Sequence, residues 1–174
     1  VTKIHFVVHS MGGLVVRSYL AKHAAGGPDD PRFGRMVMMG VPNLGAHLAD
    51  RLQQNWAYKA VFGPAGRQLV SGEEGVIAEL PTPEFEFGIL AGARGTNQGF
   101  NLLIPGDDDG TVGVASTRLP GAADFVTVSC LHSWIVRNDA AIAYTRHFLK
   151  TGRFREEGDP QPIPLPEQNV EASP

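Results

Sequence analysis

The segment that most constrains this chain lies near its start. An apolar run, Ile4–Val8, leads directly into His9-Ser10-Met11-Gly12-Gly13 and then into an apolar stretch from Leu14. Five residues that are mostly apolar on both faces suit a strand buried in the middle of a parallel sheet. From Leu14 to about Ala24, the residues Leu14, Val15, Leu20 and Ala21 recur at helical spacing, and Gly26-Gly27-Pro28 stops the pattern. A serine in the turn between such a strand and such a helix sits in a sharp bend that lifts its hydroxyl clear of the backbone. The same bend aims the N–H of the next residue, Met11, beside that hydroxyl. Turn, helix and strand crowd together there, so small residues are required, and Gly12 and Gly13 are expected to supply them.

After a polar turn over Asp29–Phe33, the run Met36-Val37-Met38-Met39 reads as a second buried strand, ending at Gly40-Val41-Pro42. Strand, helix, strand predicts an α/β fold with a right-handed crossover. Asn43–Glu84 exceeds what a simple crossover needs and predicts an extra helical element, with Ala46–Leu52 helical. Phe85–Ala91 is expected to be the third strand, closed by Gly92, with Ala93–Gly110 a loop and Phe125–Val128 the fourth strand. Asn138 is expected to cap a last helix reaching about Lys150, with Ile142, Phe148 and Leu149 facing inward and Gly152 just past its end. Residues 1–154 thus read as one domain. The proline-rich, acidic tail over 155–174 has no aromatic residue and is expected to be disordered.

The chain's 174 residues are enough for one domain with a real core. A net charge of -3 gives no electrostatic case for binding nucleic acid or an anionic membrane surface. The single cysteine, Cys130, excludes an internal disulfide framework and leaves the cytoplasm as the default compartment. No apolar run approaches the ~20 residues of a membrane span. The histidines and Cys130 have no metal-ligand spacing, and Asp107-Asp108-Asp109 lacks a calcium-loop pattern, so neither metal nor cofactor is expected.

A serine hydroxyl becomes a useful nucleophile when a histidine can take its proton and a carboxylate fixes that histidine's tautomer. Both partners lie where later strands end. Asp107-Asp108-Asp109-Gly110 follows the third strand, and His132 stands just beyond the fourth. Taken alone, any of the three aspartates fits, and Asp109-Gly110 also fits an ordinary turn. His9 reads as a packing residue beside Ser10. His5, His23, His47 and His147 read as structural or solvent-facing.

IHFVVHSMGGLVVR, residues 4–17, closely resembles the nucleophile elbow of α/β-hydrolase-fold esterases and lipases. The resemblance continues through Gly40-Val41-Pro42-Asn43-Leu44-Gly45, then Asp109-Gly110-Thr111-Val112, then Leu131-His132-Ser133 with Arg137-Asn138, and so spans roughly residues 3–154. It implies an α/β-hydrolase fold, a mostly parallel sheet flanked by helices, represented here from the elbow onward without its N-terminal strands. Ser10 is implied as nucleophile, Asp109 as acid and His132 as base, with the Met11 N–H as one oxyanion donor. Val8 stands where the family's G-x-S-x-G pattern has its first glycine, which implies wider packing of helix on strand. The family's second oxyanion donor comes from a loop upstream of the elbow, and this sequence has no such loop.

The implied activity is hydrolysis of a small-molecule carboxylic ester or lipid through an acyl-enzyme, with acyl transfer a close variant. The aromatic cluster Trp56–Phe62 fits either crossover helices buried on the sheet or part of a lid. An alternative is a truncated or non-catalytic relative that acts as a binding module. Its exposed N-terminal strand edge would then be free to pair with another chain.

Overall fold

Side chains of a strand alternate between its two faces, so a continuous apolar run needs cover on both. In the computed structural model, which describes residues 2–24, 30–44, 77 and 80–166, four strands form one sheet. These are β1 (Ile4–His9), β2 (Phe33–Met39), β3 (Phe87–Ala93) and β4 (Asp124–Ser129). They are all parallel and lie in the order β1-β2-β3-β4. Helix α1 (Met11–Ala24) follows β1. A short helix, α2 (Val114–Thr117), precedes β4, and a 3-10 turn (His132–Arg137) leads into α3 (Asp139–Thr151). The architecture is an α/β fold.

One face of the sheet carries Val8, Met36, Met38, Phe87 and Ile89, packed with Leu14 and Leu20 of α1. The other carries Val37, Met39, Leu90, Val126 and Val128, packed with Ile135, Ala141, Phe148 and Phe154. Gly88 lets the second layer close. A Cβ there would lie 2.5 Å from the Phe148 ring, so that ring rests directly on the β3 main chain.

Several expectations are corrected. β1 forms the edge of the described sheet and its Val7 is 51% exposed, so this apolar run is not covered on both faces. β2 begins at Phe33, where Phe33 joins Phe6 and Phe85 in an aromatic cluster with centroids 5.3 to 5.8 Å apart. The register with β1 shifts there, and the His5 Nδ1 accepts the Arg35 N–H at 2.9 Å across the irregularity. Gly92 does not close β3 but lies within it. α3 turns Ala141, Thr145 and Phe148 inward, while Ile142 is only half-buried. Its caps are as expected: the Asn138 side chain accepts the Ala141 N–H, and Gly152 takes a φ of 84°.

The tail is ordered further than its composition suggests. Asp124 accepts N–H bonds from Phe154 at 2.7 Å and Gln161 at 2.8 Å. Ile163 is buried and exchanges main-chain bonds with Gly121 and Ala122. Residues 167–174 lie outside the described residues, as do Ala46–Leu52, His47 and the cluster Trp56–Phe62.

Candidate active site

Ligand sites of parallel sheets gather at the carboxyl ends of the strands, and Ser10, Asp109 and His132 all fall there. Ser10 follows β1 with a φ of 54°, the sole positive value outside glycine among the described residues. A left-handed backbone costs a side-chain-bearing residue about 1 kcal/mol. It is held because the Ser10 N–H extends the ladder to the Met39 carbonyl at 2.9 Å while the Ser10 carbonyl accepts the Gly13 N–H at 3.1 Å. Gly13 is required by close packing, since a Cβ there would lie 2.5 Å from the Val41 side chain. Gly12 is not crowded, contrary to expectation: nothing lies within 4 Å of its added Cβ. Met11 is the first residue of α1, so the helix itself does not use its N–H.

Asp109 is 1% exposed and sits in a tight turn closed by its own N–H to the Val112 carbonyl at 3.2 Å, with Gly110 at a φ of 91°. Its Oδ1 accepts the N–H groups of Thr111 at 3.0 Å and Val112 at 2.7 Å. That leaves Oδ2 to face the His132 ring, where Nδ1 lies 2.7 Å away. The His132 N–H also donates to the Asp109 carbonyl at 2.9 Å. With Nδ1 protonated by this contact, the Nε2 lone pair faces the Ser10 Oγ at 2.9 Å. The structure therefore brings Ser10, His132 and Asp109 into one hydrogen-bonded line. A serine in such a line can lose its proton as it attacks, and the buried carboxylate can stabilise the resulting imidazolium.

Asp107 and Asp108 are turned elsewhere. Asp107 accepts the N–H groups of Arg94 and Gly95. Asp108 is fully buried, and its Oδ1 accepts N–H bonds from Gly110 at 2.6 Å and Asn101 at 3.0 Å. These two aspartates pin the loop whose next residue is Asp109. Burial pushes the Asp108 carboxyl above its usual range, and the Asp109 and Asp107 charges add to this against the two N–H bonds. A carboxyl raised in the folded state binds its proton more readily than in the unfolded chain. Its charge therefore costs stability at neutral pH, and the cost fades as pH falls through its folded-state value. Asp108→Asn keeps the Oδ1 acceptor and is expected to raise the urea midpoint at neutral pH. That advantage shrinks in acid through the carboxylate range. Equal shifts at both pH values would contradict the assignment.

Some contributors were not legible beforehand. Gly40 takes a φ of 54°, and a Cβ on it would lie 3.3 Å from both the Asp109 Oδ2 and the His132 ring. A Cβ on Gly92 would lie 2.7 Å from the Asp109 Cβ. These two glycines vacate the space that the His132–Asp109 contact fills. The motif Pro42-Asn43 proves to be a clamp. Asn43 donates to the Thr117 carbonyl at 2.8 Å, and its carbonyl and Oδ1 both accept from Arg17 of α1 at 3.3 Å. Arg17 also donates to the Leu80 and Pro81 carbonyls, and burial lowers its pKa to about 10. Among the described residues, no group of His, Cys, Asp or Glu could hold a metal ion, and no helix is long and apolar enough to cross a membrane.

No protein-family model matches the chain, and a search of curated proteins returns no match. Solved structures do resemble it. One is a Bacillus licheniformis lipase, BlEst2, in mature form: 20% identity and a TM-score of 0.53, over 87% of this chain and 66% of the lipase. The likeness is one of fold. The same lipase in its propeptide form matches at 22% identity and a TM-score of 0.53, over 93% of this chain and 38% of that one. The chain thus spans less than two thirds of the length of these lipase chains.

Proposed function

We propose that this chain carries the site of an α/β-hydrolase-fold serine hydrolase that cleaves carboxylic esters through an acyl-enzyme. The observation that carries the proposal is the Ser10–His132–Asp109 line, with contacts of 2.9 Å and 2.7 Å. In the first step the Ser10 Oγ attacks the acyl carbon as His132 Nε2 takes its proton. The oxyanion is held by the Met11 N–H at the positive end of α1. The intermediate collapses as His132 returns the proton to the leaving alcohol. Water then attacks the acyl-enzyme with the same histidine as base, and collapse of the second intermediate releases the acid and restores Ser10. Throughout, the Asp109 side chain holds the His132 tautomer through its contact with Nδ1. A binding module would give no reason for the strained Ser10 backbone to face a histidine backed by a buried carboxylate.

A fluorophosphonate probe tests this without a choice of substrate, because it reacts with activated serines. Mapped by mass spectrometry, the label is expected on Ser10 and is expected to vanish in Ser10→Ala and His132→Ala. A folded wild-type chain left unlabelled would refute the proposal.

A further inference from the structure

His9 ends β1 and is bonded directly to the serine, yet its ring contacts the other side of the site. Its Nε2 lies 3.2 Å from the main-chain carbonyl of His132, 123 residues along the chain. A carbonyl only accepts, so His9 presents Nε2–H to it. The two imidazoles also face each other, with centroids 4.7 Å apart and planes tilted by 37°. We infer that His9 is a positioning residue: by donating Nε2–H to the His132 carbonyl, it sets the His132 ring at bonding distance from the Ser10 hydroxyl. The inference rests on the hydrolase proposal and deepens it.

The physical need is plain. The Asp109 contact fixes how the His132 ring is oriented, but it does not join that ring to the β1 end of the sheet. His9 makes that connection, from the residue next to the nucleophile to the backbone that carries the base. The titratable groups facing His9 are His132 from the 3-10 turn and Asp109 from the loop after β3. Burial, and then the His132 charge, lower the His9 pKa below the ordinary 6.5, opposed by the bond to His132 and by Asp109. His9 is therefore neutral where a serine hydrolase works and puts no second cation beside the imidazolium. Acid pH that protonates it would oppose that imidazolium and steepen the acid limb of the rate profile.

The test separates the donor from the ring. Gln places an amide N–H near the histidine Nε2, Phe keeps a ring with no donor, and Asn is too short to reach. His9→Phe and His9→Asn are expected to slow fluorophosphonate labelling of Ser10 and to lower kcat about tenfold, the scale of one hydrogen bond, with KM unchanged. His9→Gln is expected to recover most of that loss, while the steep acid limb disappears in all three variants. A second readout needs no turnover. The downfield Nδ1 proton of His132, seen by NMR, is expected to broaden in His9→Phe and His9→Asn and to stay sharp in His9→Gln. An unchanged NMR signal in His9→Asn, or a His9→Gln variant as slow as His9→Asn, would overturn the inference. Absent labelling of the wild type with the NMR pattern intact would instead refute the hydrolase proposal and leave the positioning role standing.

Discussion

Replacing Ser10 or His132 by alanine is expected to lower kcat for hydrolysis of a soluble p-nitrophenyl ester by about 10⁵- to 10⁶-fold, and the double variant to lose no more than either alone. The reason is the series arrangement of the contacts. The Ser10 hydroxyl has a base only if His132 Nε2 is unprotonated, and that tautomer depends on the Nδ1 contact to Asp109 at 2.7 Å. Removing one member leaves the others with nothing to act on. Asp109→Asn is expected to be gentler, at about 10⁴-fold, because the imidazole remains but its tautomer is wrong. Turnover by purified variants with unchanged circular dichroism spectra checks this. Losses that multiply in the double variant would mean that the residues act separately.

Much of this arrangement could be read from the chain because local chemistry and tertiary role coincide. The αL turn at Ser10, the Asp109-Gly110 turn, the Asn138 cap and the Gly152 stop each have a sequence signature of a few residues. Misreadings arose where a residue answers to something distant. Gly92 looks like a strand terminator, yet it continues β3 opposite Val128 and is glycine because the Asp109 side chain leaves no room for a Cβ. Ile142 looks like a core position, yet α3 buries Thr145, whose hydroxyl donates to the Ala141 carbonyl at 2.7 Å and so enters the core satisfied. In the tail, composition averages over many residues and cannot register one anchor such as Ile163, or a single carboxylate, Asp124, collecting two distant N–H groups.

The same substitution at two glycines is expected to have opposite consequences. Gly92→Ala puts a methyl 2.7 Å from the Asp109 Cβ and 3.2 Å from the Asp109 Oδ2 and the Cys130 carbonyl. Asp109 cannot swing aside, since Thr111, Val112 and the His132 N–H all hold it. The cost is expected to be about 1–3 kcal/mol in stability, as for other overpacked sites. Displacement of Oδ2 from the His132 ring is expected to lower kcat about 10²-fold. Gly12→Ala meets open space within α1 and is expected to add about 0.5–1 kcal/mol through helix propensity. Urea denaturation of both variants, with turnover for Gly92→Ala, decides the matter. A Gly92→Ala chain as stable and active as wild type would mean that the strand ends are more pliant than their contacts imply.

The Ser10–His132 contact joins residues 122 apart, from beyond the first and last strands of the described sheet. Closing so long a loop is entropically unfavourable until the intervening strands have assembled. The Ser10–His132 contact is therefore expected to form only once that parallel ladder is in place. Under the proposed function, Ser10 would then react only in assembled molecules, and a chain stalled during folding would stay chemically silent.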